Sequence, residues 1–226
     1  MKRIFYLLLV LTVFVLASCK TTSNTRLSLY PKMYDVHPVT LVVMPPINNT
    51  TNVPAKELLY TSISTPLIRN GYYVVSPYIA MEMFKAESAY DAELFINNDQ
   101  AIFAKVFGAD AVVYSVIDKW QKQGTDIKVK IQYMIKSTRD NELIFDRTCE
   151  LFLDMTSSNT SGGLIGALVN VASAAISTAV TDHIVAARKC NFYVFKDIPR
   201  GKYSPLYMND QEQSTGKKDI VITVKQ

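Results

Sequence analysis

The amino-acid sequence predicts a single domain of mixed α/β class: a mixed sheet with an N-terminal right-handed βαβ unit, an antiparallel meander and flanking helices. Three observations predict it. A strand, a helix and a second strand fit between Val39 and Val75, in under forty residues, a length that suits one crossover joining two parallel strands. Ile127, Val129, Ile131, Tyr133 and Ile135 alternate with Lys128, Lys130, Gln132, Met134 and Lys136, the period of a half-buried strand. Apolar residues at helical spacing fill the stretches between.

Val39 to Met44 is a continuous apolar run stopped by Pro45 and Pro46, which reads as a buried strand ending in a loop. Pro54 suits a helix start, with Leu58, Leu59, Ile63 and Leu67 on one face and Asn70-Gly71 as the stop; Pro66 should kink it. Tyr72 to Val75 is the second strand, and Tyr78 to Glu87 and Asp99 to Phe107 are two further helices, the latter closed by Gly108. Ala111 to Trp120 opens the meander, and Arg139 to Asn141 turns into a last antiparallel strand, Leu143 to Leu153. Met155 to Thr181 has no charge for 27 residues. Asn170, Ser173, Ser177 and Thr181 recur opposite Leu164, Leu168, Ala172, Ile176 and Val180, which favours a soluble packing helix over a segment that meets lipid or a neighbouring subunit. Cys190 to Phe195 and Ile220 to Val224 read as closing strands, with a polar, mobile stretch from Met208 to Lys218 between them.

Of the 226 residues, 49% are hydrophobic and 19% charged. A packed core is therefore affordable, and collagen-like, low-complexity and wholly disordered chains are excluded. The net charge of +4 falls to +2 without Lys2 and Arg3 and forms no basic footprint, so nucleic acid is not an expected partner. Lys2 and Arg3 precede the apolar stretch Ile4 to Leu16, followed by Ala17, Ser18 and Cys19. Positive charge, short apolar core and small residues in that order make a signal peptide. Thirteen residues of helix span about 20 Å, short of a hydrocarbon core of about 30 Å. Leu16-Ala17-Ser18-Cys19 resembles the bacterial lipobox, which implies cleavage before Cys19, a diacylglycerol on its sulfur and an N-acyl chain on its new amine. The alternatives are a secreted chain with a chance cysteine and an uncleaved anchor. With two or more acyl chains the attachment is stable. Lys20, where an inner-membrane lipoprotein would resemble those carrying Asp, points to the outer membrane. The organisation expected is a signal peptide over 1–18, a lipidated tether over 19–29, one domain over 30–206, and a flexible segment with a C-terminal strand over 207–226.

Cys149 and Cys190 remain in a compartment that permits disulfides. They are open to two readings, a bridge or two small hydrophobes on strand faces; Cys149 lies in phase with Leu143, Phe145, Leu151 and Leu153. There is no CxxC pair, P-loop, G-x-S-x-G or H-E-x-x-H motif, so no catalytic or metal residue is assigned and the chain is read as a non-enzyme. His37 and His183 stand apart and read as structural. Glu87, Asp91 and Glu93, with Tyr90, could do acid/base or Ca²⁺ work, as an envelope hydrolase would need, but read better as a solvated, capping loop. Lys128, Lys130 and Lys136 could meet lipid phosphates, blunt a sheet edge or solvate a face. The loop after the first strand carries Asn48, Asn49, Thr50, Thr51 and Asn52 at the end where open α/β sheets bind ligands. It is the candidate interaction loop, although turn formation and capping compete for the same groups.

Several blocks are familiar together: Tyr30-Pro31-Lys32-Met33-Tyr34, His37-Pro38-Val39-Thr40, Val43-Met44-Pro45-Pro46-Ile47-Asn48-Asn49-Thr50-Thr51, Glu87-Ser88-Ala89-Tyr90-Asp91, Phe107-Gly108-Ala109-Asp110-Ala111 and Lys202-Tyr203-Ser204-Pro205-Leu206. Through them the chain resembles the genome-derived neisserial antigen family of bacterial lipoproteins. The resemblance implies a fold similar to the amino-terminal domain of TolB. It also implies an envelope accessory of transport or secretion, beside a CsgG-like lipoprotein and another small lipoprotein. It brings no catalytic residue. The reading is an outer-membrane lipoprotein, facing the periplasm, that binds other envelope proteins. The rivals are a membrane-inserting CsgG-like oligomer using residues 155–181, and an envelope hydrolase.

Overall fold

The computed structural model describes residues 24–88, 90–124, 126–154 and 174–225. Two short helices, α1 (Arg26–Leu29) and α2 (Pro31–Val36), lead into strand β1 (Thr40–Val43). Then come β2 (Ile47–Asn48), helix α3 (Ala55–Arg69), β3 (Tyr73–Val74), helices α4 (Pro77–Ala86) and α5 (Ala101–Phe107), and the long strands β4 (Ala111–Gln123), β5 (Asp126–Ser137) and β6 (Leu143–Asp154). Helix α6 (Ala174–Phe195) and strand β7 (Asp219–Lys225) finish the fold. Among the described residues the strands form one sheet in the order β3-β1-β4-β5-β6-β7, with β2 also on β4. The class is mixed α+β, with helices on a curled mixed sheet.

β1 pairs in parallel with both β3 and β4, so α3 is a crossover between parallel neighbours. Asp110 fixes the start of β1 by accepting from the backbone N–H of Val39 at 2.9 Å and Thr40 at 2.8 Å. β4, β5 and β6 form the antiparallel meander, and β7 lies parallel to β6. Both sheet faces are apolar over the β3-β1-β4 half. Leu41, Val43 and Ile117 join the larger core under α3 and α6, while Val42, Met44, Val112 and Tyr114 join a second core with Ala80 and Phe84 of α4 and Phe103 of α5. Farther along, β5 buries alternate residues only, the burial of a sheet covered on one face.

The structure departs from the sequence-based expectation in five places. Cys190 to Phe195 is the last turn and a half of α6 rather than a strand. Ala186, Ala187, Cys190, Asn191, Val194 and Phe195 are all buried, and that spacing has the period of a helix lying on a sheet. Inside the loop after β1, Ile47 and Asn48 pair with Val116 and Ile117 as a short strand. Leu143 is 43% exposed because the β5–β6 register shifts between Ile135 and Lys136, which moves it off the buried face. β5 is central in the sheet, so its lysines blunt no edge: Lys128 and Lys130 lie on the polar face, and Lys136 donates to the Ile96 carbonyl at 2.6 Å.

The fifth difference is the polar stretch from Met208 to Lys218, which is pinned rather than mobile, while the strand expected after it is present as β7. Asp210 is fully buried; its carboxylate accepts from Arg26 Nη1 at 2.6 Å and from the Arg200 N–H at 2.8 Å. Arg147, also buried, donates from Nε to the Tyr30 hydroxyl at 3.0 Å, from Nη1 to the Val194 carbonyl at 2.7 Å and to the Asp197 carboxylate, and from Nη2 to Thr215 Oγ1 at 3.1 Å. Burial pushes the Tyr30 hydroxyl up to about 12, against the pull of the Arg147 charge. Buried charges persist only when paired and hydrogen-bonded; here the partners come from Arg26 and Tyr30 near one end of the described residues and from Asp210 and Thr215 near the other.

Candidate interaction surface

The Asn/Thr loop spends most of its polar groups on itself. Asn48 Oδ1 accepts from the Thr50 N–H at 3.1 Å and the Thr50 hydroxyl at 2.8 Å, and Asn48 Nδ2 donates to the Asn52 carbonyl at 2.8 Å. Thr50 Oγ1 accepts from the Asn52 N–H at 3.2 Å, and Asn52 Oδ1 accepts from the Ala55 N–H at 3.2 Å, capping α3. These are the local bonds Asn and Thr make at turns and caps. Asn49 and Thr51 stay exposed, and they are what the loop offers a partner.

A cleft of about 430 Å³ opens between α3 and α4, lined by Tyr60, Pro77, Tyr78, Met81 and Tyr90 together with Thr61 and the charged Glu57, Glu82 and Lys85. Tyr60 is held by donating its hydroxyl to the Pro77 carbonyl at 2.9 Å, and burial pushes that hydroxyl up. Burial, then the Glu57 charge, also raises the Tyr90 hydroxyl. Lys56 Nζ sits 4.0 Å from the Tyr90 ring centroid, a cation–π contact. Tyr78 is 75% exposed. Outside the cleft, α4 and α5 bury Ala80, Phe84 and Phe103 but leave Ile79, Met83, Ile102 and Val106 in solvent. Each of the two helices thus carries a pair of exposed apolar side chains one turn apart, Ile79 and Met83 on α4 and Ile102 and Val106 on α5, and exposed apolar surface of this kind is what a contact with another molecule would cover. Sequence reasoning did not single out this cleft. The signal available was α4 itself, whose Tyr78, Ile79 and Met83 lie off the face of Ala80 and Phe84.

The other residues singled out in the sequence fall into separate places. Cys149 and Cys190 come together in the main core as free, fully buried thiols. Burial pushes the Cys190 thiol well up, and its hydrogen bond with Cys149 adds to that. His183 Nδ1 accepts from Trp120 Nε1 at 2.7 Å. His37 caps α2 in the left-handed region, with Nε2 3.1 Å from Met208 Sδ. Glu87 and Asp91 are the residues that flank α4 and the following 3-10 turn. Among the described residues no group of three or more His, Cys, Asp or Glu is placed to hold a metal ion, and no helix is long and apolar enough to cross a membrane. Cys19, and residues 155–173 of the charge-free stretch, lie outside the described residues.

Comparison with known proteins places these features. A family model described as "Putative lipoprotein GNA1162-like" matches residues 29–193. The chain is 24% identical over 157 residues to "Putative lipoprotein NMB1124/NMB1162" of Neisseria meningitidis serogroup B, covering 68% of this chain and 72% of that protein. Among solved structures, lipoprotein GNA1162 from Neisseria meningitidis is 22% identical with a TM-score of 0.48, covering 66% of this chain and 99% of that one. A PelC dodecamer from Paraburkholderia phytofirmans is 11% identical, with a TM-score of 0.43, covering 71% and 88%. The LpoB C-terminal domain from Salmonella enterica is 17% identical, with a TM-score of 0.39, covering 56% and 94%. The match to the family model spans the helices and strands from the end of α1 to the end of α6, and the chain belongs to the GNA1162-like lipoprotein family.

Proposed function

We propose that this chain is an outer-membrane lipoprotein, held by acyl chains on Cys19 and facing the periplasm. It works without catalysis, as an accessory that docks other envelope proteins in a transport or secretion assembly. The observation that carries the docking role is the exposed apolar side of α4 and α5, with the tyrosine-walled cleft at its margin. Support for the location comes from the lipobox-like Leu16-Ala17-Ser18-Cys19 and from membership of a lipoprotein family. Anchoring raises the local concentration of the body at the membrane, so a modest contact area suffices for occupancy. A CsgG-like lipoprotein is the companion the family resemblance favours.

The test is a photo-crosslinking residue at Ile79 or Ile102 in cells with the native leader. The expected result is a cross-link to one envelope protein from both positions, lost when the other apolar positions carry Met83→Asp and Val106→Asp. Cross-links to that protein that persist in the charged variant, or none from either position, would remove this side of the fold as the docking surface.

A further inference from the structure

A groove of about 490 Å³ runs between α3 and α6, on the sheet face opposite the α4–α5 patch. Two matched rows line it: Thr61, Thr65 and Arg69 at successive turns of α3, and Ile184, Arg188 and Phe192 at successive turns of α6. The helices run in the same direction, because Asn191 reaches Ser62 Oγ at 2.9 Å while Asn70, just past α3, reaches the Phe195 carbonyl at 2.8 Å. The described lining residues include two guanidinium groups and no carboxylate, and neither arginine is ion-paired to a described residue. Two exposed guanidinium groups beside the hydroxyls of Thr61, Ser62 and Thr65 favour an anion there. Pro66, Ile184 and half-exposed Phe192 add apolar wall beside the charge, so the ligand that fits is an anion carrying an apolar body.

The geometry points to an anionic phospholipid headgroup, with its phosphate on Arg69 and Arg188 and its glycerol and upper acyl segment against Ile184 and Phe192. The position of Arg26 selects this occupant. Arg26 pairs with Asp210, which takes the Arg200 N–H, and Arg200 in turn hydrogen-bonds Asn70, the residue after Arg69. The amino-terminal entry is thus stitched to the Arg69 end of the groove. Cys19 lies five residues before Asn24, a reach of at most about 18 Å. On the reading that Cys19 carries the acyl chains, that end of the groove stands at the bilayer surface, where phosphate is the abundant anion.

The test uses the full chain purified from membranes, with arginine-directed labelling by phenylglyoxal read peptide by peptide. Dihexanoyl phosphatidylglycerol, inorganic phosphate and an oligoglutamate peptide are titrated in turn, with exposed Arg139 as the internal reference. The expected result is saturable protection of Arg69 and Arg188, but not Arg139, by the phospholipid at about tenfold lower concentration than by phosphate. In the Arg69→Gln variant, protection of Arg188 should need about tenfold more phospholipid. Protection by phosphate at the same concentration would make the groove a simple anion site, stronger protection by oligoglutamate would make it a protein contact, and no protection would leave it without a ligand; each overturns the proposal. Flotation of the same preparation with vesicles reports separately on the anchor: a chain that does not float but shows the protection loses its anchor and keeps its groove.

Discussion

Arg147 holds the carboxyl-terminal loop to the core, and Arg147→Met measures how much of the fold depends on it. The side chain is fully buried and donates to Tyr30, Val194, Asp197 and Thr215, while its guanidinium lies 5.5 Å from the Tyr30 ring centroid and 5.6 Å from that of Phe145. Methionine keeps apolar volume but takes the guanidinium donor from the Val194 carbonyl and from Asp197 Oδ1, leaving the Asp197 carboxylate only the Gly216 N–H, at 2.6 Å on Oδ2. Removing one partner of a buried pair costs about 3–5 kcal/mol. Asp197 keeps 13% of its side chain exposed, which favours the lower part of that range, about 3–4 kcal/mol. With a urea m-value of about 2 kcal/mol/M, the unfolding midpoint should fall by about 1.5–2 M. A second reading comes from pH. Burial pushes the Asp197 carboxyl up, but the hydrogen bond and charge of Arg147 outweigh it and leave the group below its ordinary value. A carboxyl depressed in the folded state stabilises above its unfolded pKa of about 4, and that stability is lost as pH falls through the lower folded value. Wild type should therefore lose stability in acid more steeply than Arg147→Met. A midpoint shift below about 0.4 M, or parallel acid limbs for the two proteins, would refute the reasoning.

Other consequences follow from the same packing. An added Cβ at Gly71, which has φ of +90°, would meet Ser204 Cβ at 2.7 Å and the Gly201 carbonyl at 2.9 Å. Gly71→Ala should cost about 2–4 kcal/mol and lower Tm by roughly 5–15 °C; a melt within 2 °C of wild type, on the order of 1 kcal/mol or less, would contradict the close approach. Cys149 and Cys190, buried and unbridged, should resist alkylation in the native protein and both react in denaturant without reductant, whereas a bridge would leave both unreactive there. Asn191 accepts from the Tyr133 hydroxyl at 2.8 Å and donates to Ser62, so Asn191→Leu should destabilise by about 1–3 kcal/mol through the stranded, buried Tyr133 hydroxyl, read as a lower urea midpoint.

The meander and the α3 crossover were legible because each has a local signature: strict alternation in β5, and apolar residues at helical spacing bounded by Pro54 and Asn70-Gly71. Cys190 to Phe195 was not, since a short run of Cys, Phe, Tyr and Val suits a strand by propensity. Its helical phase shows only when Ala186 and Ala187 are read with it. The pinned loop around Asp210 was opaque for a different reason. Composition reads a polar stretch as solvated, and the arginine that buries Asp210 lies 184 residues away. Arg147 did leave a trace: it sits in phase with Phe145, Cys149 and Leu151, and a charge on an apolar strand face requires a buried partner. The α4–α5 patch depends on which helix face the sheet covers, a matter of tertiary packing.

The role proposed for this chain depends on where the lipid is attached, and intact mass spectrometry of the protein extracted from its own membranes tests that directly. The account predicts a chain that begins at Cys19, with the added mass of a diacylglycerol and an amide-linked acyl chain on that residue. A free Cys19 thiol, or residues 1–18 still attached, would contradict it.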